Sequence, residues 1–241
     1  MLLVLRCLIL FVMLVLGLGF AMVYCLVRPR HKNHVYLYAS IMSWLAPILG
    51  IKVILRAEKI LKSPCIFTAN HQNNFDVFTL TKAVPKSTVS LGKKSIVWLP
   101  FFGQIYWLTG NILIDRANRK KAFETLAQTV KKMRQRMLSI WFFPEGTRSR
   151  GRGMLPFKLG AFYTAVQAKV PIVPVVASCQ KNINLNRWRN GIVIVEVLDP
   201  VSTINLCADD VKQLSESVRR KMLEAYERIS QEAIQLQFKP A

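Results

Sequence analysis

The chain has 241 residues, enough for one ordinary domain with an appendage and too few for two large domains. Its 34 Lys and Arg against 13 Asp and Glu give a formal net charge of +21, a balance that attracts a polyanion, an anionic bilayer or an acidic protein. The 5 cysteines are scattered without paired spacing, which argues against a disulfide framework or a thiolate zinc site and fits a reducing compartment.

The first element decides the solvent. Cys7 to Val27 carries no charge and matches the ~20 apolar residues that cross a hydrocarbon core. It runs into "RPRHKNH" rather than a small-residue cleavage site, so it reads as a retained membrane helix and not as a signal peptide. The flank Arg28, Arg30 and Lys32 outweighs Arg6 on the other side, which puts the rest of the chain in the cytoplasm. Val35 to Gly50 is apolar and aromatic but too short to span, as an interfacial or shallowly dipping helix would be. Residues 1–50 thus read as a membrane-anchoring helix pair, either spanning or entering one leaflet, and residues 51–241 as one further domain.

Beyond Gly50, short β-branched runs alternate with segments of helical period. Strands are expected near Ile51, Cys65, Thr88, Asn111, Ser139, Ile172 and Ile192. Helices are expected at Phe75–Val84, Arg119–Met137, Gly160–Ala168 and Ala208–Gln235, the last with an apolar stripe through Val211, Leu214, Val218, Met222 and Ile229. The pattern predicts an α/β domain whose mixed, mostly parallel sheet is flanked by helices.

Polar clusters follow several of these strands. In "NHQNNFD", His71 and Asp76 fall at a strand end leading into a helix, where open α/β sheets place ligands. The Asp76 carboxylate can accept from one imidazole nitrogen and leave the other free to take a proton; equally, the two residues can cap a turn and a helix. The motif holds no Ser or Cys nucleophile, so an acid–base role needs a substrate hydroxyl. In "FPEGTRSRGRG" a glycine-rich loop carries Arg148, Arg150 and Arg152, which suits phosphate or simply a solvated basic loop. "GNILIDR" offers Arg116 beside Asp115, either a phosphate contact or a surface ion pair. The prolines of "VPIVPV" imply an edge strand or one interrupted where something approaches.

Taken together, "NHQNNFD", "GNILIDR", "FPEGTRS" and "VPIVPV", in that order, resemble the blocks of the His-x4-Asp glycerolipid acyltransferases. The spans between them, "GKKS", "WLPFFGQIYWLTGN" and "GRGMLPFKLGAF", are similar to the family's members in Gram-negative inner membranes. The resemblance implies acyl transfer from an acyl thioester, acyl-CoA or acyl-ACP (acyl carrier protein), to the sn-2 hydroxyl of lysophosphatidic acid. It makes His71 the general base and Asp76 its orienter, with Arg116, Glu145, Gly146, Thr147 and Arg148 binding the phosphate and glycerol end. Lys93 of "GKKS" is a candidate for oxyanion or phosphate binding, or a solvated lysine. No metal and no cofactor beyond the thioester co-substrate is implied. The basic surface would face anionic lipid and an acidic carrier protein, and a donor-chain tunnel would be lined from "WLPFFGQIYWL". Nucleic acid is not expected as a partner, because no recognised motif is present and the aromatic residues sit in apolar rather than basic runs.

Overall fold

A computed structural model describes residues 1–57, 64–100, 102–115 and 117–238. In chain order the strands are β1 (Ile51–Arg56), β2 (Ile66–Ala69), β3 (Thr88–Lys93), β4 (Ile112–Ile114), β5 (Ser139–Phe142), β6 (Ile172–Ala177) and β7 (Gly191–Val197). They form one seven-stranded sheet in the order β1-β7-β6-β2-β5-β3-β4. Every neighbouring pair is parallel except β6 with β7, the mixed and mostly parallel sheet that the sequence predicts. Every residue of β2, β5 and β6 is buried, which is why these strands read as unbroken apolar runs.

One face of the sheet is covered by α5 (Arg119–Arg136), α6 (Gly160–Ala168) and α7 (Val211–Phe238). The predicted stripe of α7, Val211, Leu214, Val218, Met222 and Ile229, is buried there. The other face is covered by α3 (Asp76–Thr79) and the 3₁₀ turns Ala46–Leu49 and Leu80–Ala83, with α2 (His34–Trp44) packed on α3. From β2 the chain leaves through α3 across one face toward β3. From β5 it leaves through α6 across the other face toward β6. The two connections diverge from the adjacent pair β2 and β5, opening a crevice at the carboxyl ends of these strands.

Pro174 corrects the edge-strand expectation, since β6 lies inside the sheet between β2 and β7. Its carbonyl accepts from Leu198 N at 2.9 Å. The missing N–H therefore faces the β7 side, where regular pairing stops at Val175 opposite Val197 and resumes only at the isolated Ile172–Val201 bridge. A local irregularity is where an interior strand tolerates proline.

Helix α1 (Leu2–Val27) starts earlier than expected and takes Arg6 inside it. Its 26 residues make it about 39 Å long, and it is long and apolar enough to cross a membrane. Leu2, Arg6, Leu10, Leu14, Gly17, Ala21 and Cys25, spaced three and four apart, are buried or half-buried, with Met13, Met22 and Tyr24 half-buried beside them, while Leu8, Phe11, Val15, Phe20 and Val23 on other faces are exposed. One face, wider toward the end of the helix, therefore touches the protein along its length. Its start is pinned by Arg6, whose guanidinium donates to the carbonyls of Leu185, Arg187 and Trp188. Just past its end, Arg30 N donates to Leu108 O at 2.9 Å. Leu108 closes α4 (Phe102–Leu108), a helix within the segment expected to line a tunnel. Trp98, Leu99, Phe102 and Trp107 of that segment face outward instead.

Candidate active site

The crevice gathers the ends of β2, β5 and β6. Past Ala69, the Asn70 side chain continues the pairing with β6: Nδ2 donates to Ala177 O at 3.0 Å and Oδ1 accepts from Ala177 N at 2.9 Å. The amide thus imitates one more peptide unit and carries the sheet to the point where His71 leaves it.

His71 and Asp76 meet as the acid–base reading requires. Asp76 Oδ2 lies 2.6 Å from His71 Nδ1 and accepts the backbone N–H groups of Gln72 at 2.8 Å and Asn73 at 3.1 Å. The side chains are 18% and 3% exposed. A carboxylate at that nitrogen places the imidazole proton on Nδ1 and leaves Nε2 as the acceptor. The ring is held flat by Phe143, whose centroid lies 4.1 Å away at 24°. Asp76 also opens α3, where its charge suits the helix start, but it caps no N–H of that helix: the backbone groups it accepts belong to Gln72 and Asn73 in the preceding loop.

Gln180 is a functional candidate that the sequence does not reveal. Its Nε2 donates to Asp76 Oδ1 at 2.9 Å, its Oε1 accepts from Thr79 Oγ1 at 3.2 Å, and its N–H donates to Gln72 Oε1 at 3.0 Å. Gln72 Nε2 in turn donates to the carbonyls of Ala177 and Ser178. Both glutamines are buried. They fix the second oxygen of Asp76 and tie the motif to the end of β6.

Glu145 is tied to the backbone of the site. It is buried, and its carboxylate accepts His71 N at 2.7 Å and Leu155 N at 2.9 Å. It joins the two loops of the site through their backbones. Burial pushes its carboxyl above the usual value, against the downward pull of those two N–H donors. With the folded pKa raised, the stability owed to this group is fully present below the unfolded value of about 4.3 and is lost as pH rises through the folded value. Glu145→Gln abolishes this titration. The melting temperature of the wild type should therefore gain on that of Glu145→Gln as pH is lowered through this window, and a constant gap would refute the assignment.

The same loop turns back on His71: Ser149 N donates to His71 O at 2.8 Å and Arg150 N to Gln72 O at 2.9 Å. Arg152 is spent on the turn, donating through Nε to Ser149 O at 2.9 Å. Thr147 and Arg148 are exposed on its outer side, and Arg148 has no acidic partner among the described residues. Gly146 has φ +71°, the left-handed region in which any side chain is strained, so the turn favours glycine. Lys93 is exposed at the carboxyl end of β3, on the same edge of the sheet. Its neighbour Lys94 lies 3.9 Å from Asp115, a surface ion pair. Arg116 lies outside the described residues.

A protein-family model, Acyltransferase, matches residues 50–178. The 1-acyl-sn-glycerol-3-phosphate acyltransferase of Escherichia coli (strain K12) is 50% identical over 206 residues, covering 84% of this chain and 84% of its own length. The 1-acyl-sn-glycerol-3-phosphate acyltransferase alpha of Homo sapiens is 34% identical over 214 residues, covering 86% and 75%. The crystal structure of the 1-acyl-sn-glycerophosphate (LPA) acyltransferase of Thermotoga maritima matches with a TM-score of 0.73 at 22% identity, over 95% of this chain and 94% of that one. At that identity the match speaks for the fold alone.

Proposed function

Because the chain belongs to the acyltransferase family, we propose that it moves an acyl chain from a thioester, acyl-CoA or acyl-ACP, to the sn-2 hydroxyl of 1-acyl-sn-glycerol 3-phosphate, giving phosphatidic acid. The observation that carries this reading is the buried Asp76 carboxylate 2.6 Å from His71 Nδ1, which leaves Nε2 free to accept a proton. His71 Nε2 takes the hydroxyl proton as the oxygen attacks the thioester carbonyl carbon. The carbon–sulfur bond then breaks, and the departing thiolate receives the proton from His71. No acyl group resides on the enzyme at any stage, in keeping with a motif that lacks Ser and Cys. The anionic acceptor head falls to Arg148, exposed and without an acidic partner among the described residues.

Acceptor and product partition into a bilayer, so an enzyme held at its surface meets them without extracting them into water. If α1 crossed a hydrocarbon core of about 30 Å, its ends would lie on opposite sides, yet both ends are bonded to one body. The reading therefore lays α1 in a single leaflet, on the cytoplasmic face of the inner membrane, where the free cysteines stay reduced.

The test is thiol release from acyl-CoA and acyl-ACP by the purified protein, with and without lysophosphatidic acid. Release that depends on this acceptor supports the proposal; preference for glycerol 3-phosphate or for a lysophospholipid bearing a head group overturns it. In the same assay Arg148→Ala should raise KM for lysophosphatidic acid by about 10-fold or more and leave KM for the thioester nearly unchanged, as expected for one charge-assisted contact worth roughly 1.5–3 kcal/mol. A defect confined to the thioester would remove Arg148 from the acceptor site.

A further inference from the structure

Of the 5 tryptophans in the chain, Trp141 alone is buried. Trp98, Trp107 and Trp188 are 82%, 47% and 75% exposed, and Leu99 and Phe102 are exposed beside the first two. Water is a poor solvent for such a set, and tryptophan favours the boundary between headgroups and acyl chains. These residues are also attached to α1 at its two ends. Arg6 in the first turns of α1 holds the carbonyl of Trp188 at 2.8 Å. Past the other end, the Arg30 guanidinium lies 4.3 Å over the Trp107 ring, and α4 packs along α1.

The surroundings are cationic. Trp188 stands between exposed Arg187 and Arg189, and Trp98 closes a 3₁₀ turn that begins at exposed Lys94. Residues 28–32, 93–107 and 181–190 contain no Asp or Glu. Lys94 is shared with Asp115 at 3.9 Å, whereas Arg187 and Arg189 have no acidic partner among the described residues. Aromatic side chains rimmed by such cations match an anionic phospholipid surface, with rings at the acyl boundary and charges at the phosphates.

We propose that the membrane-contacting surface extends beyond α1 to two flanking patches, the Lys94–Leu108 segment and the Arg187–Arg189 loop tip, which together seat the enzyme on an anionic bilayer. Arg6 is then the latch that keeps the second patch level with the helix. The surface also fixes how deep the crevice sits, because the loop bearing Trp188 follows directly from Gln180, which holds Asp76.

The proposal is tested with full-length protein reconstituted into phosphatidylcholine vesicles containing phosphatidylglycerol and a phospholipid spin-labelled near the headgroup end of its acyl chain. Variants keep Trp141 as an internal reference together with either Trp98 or Trp188, the other tryptophans being phenylalanine. Emission from Trp98 and from Trp188 should be quenched well beyond that of the variant retaining Trp141 alone. Partitioning onto these vesicles should fall about fivefold for each of Arg187 and Arg189 replaced by glutamine, and hardly at all on phosphatidylcholine alone. Quenching no greater than that of the Trp141 reference would overturn the proposal and assign both patches to water or to a protein partner. These readouts do not depend on turnover, so they can fail while the acyl-transfer reading stands, and the reverse.

Discussion

Replacing His71 with alanine should lower turnover by at least about 10²-fold, the lower end for loss of a general base. The substitution is a clean probe because the loop is held by the backbone of this residue rather than by its ring. The N–H donates to Glu145 and the carbonyl accepts from Ser149, and alanine keeps both bonds. What disappears is the ring, its bond to Asp76 and its stacking on Phe143. Thermal unfolding should accordingly change little while acceptor-dependent thiol release collapses. Activity retained in this variant would make "NHQNNFD" a structural turn and send the search for the base elsewhere.

Asp76→Asn should cost on the order of 10²- to 10⁴-fold in kcat with a much smaller change in KM. The asparagine oxygen can keep the Oδ2 position and still accept from Gln72, Asn73 and His71. Its amide would face the Gln180 Nε2 donor, but a flip of Gln180, with rotation of the Thr79 hydroxyl that now donates to it, removes that clash. Geometry is thus nearly preserved and only the negative charge beside the imidazolium is lost, so the fall measures electrostatic stabilisation of the protonated base. Gln180→Leu removes one neutral bond to the other oxygen and should cost less. Because it leaves the carboxylate less restrained, the pH profile of kcat/KM should shift; an unshifted profile with a lower melting temperature would reduce Gln180 to a packing residue.

Much of this architecture is legible in the sequence where the deciding interactions are local. A strand buried on both faces demands an unbroken β-branched run, and "IVPVVA" supplies one; "IVIVEV" is buried only in its middle and admits Glu196 near its end. His71 and Asp76 can be paired on paper because one short loop joins them. Gln180 cannot, because it reaches Asp76 across 104 positions and its neighbours "SCQKN" read as an ordinary loop. The two bonds that Glu145 makes are hidden for another reason: its partners are backbone N–H groups, which every residue possesses and no motif displays. Pro174 suggests an edge only if strand order is ignored, and strand order is a property of the whole sheet. Arg6 reads as a flanking charge because the carbonyls that claim it arise from the loop at Leu185–Trp188.

That last contact bears on how the protein is made. Arg6 and Leu185 are 179 positions apart. At a synthesis rate of about 5–20 residues per second, α1 leaves the ribosome roughly 10–40 s before its docking loop. Until α4 is made to pack along it, its apolar surface has little protein to bury against, and the bilayer is the available refuge. The sheet therefore assembles beside a helix already lodged in lipid, and closure of the loop over Arg6 is a late step that joins a finished globule to a pre-inserted anchor.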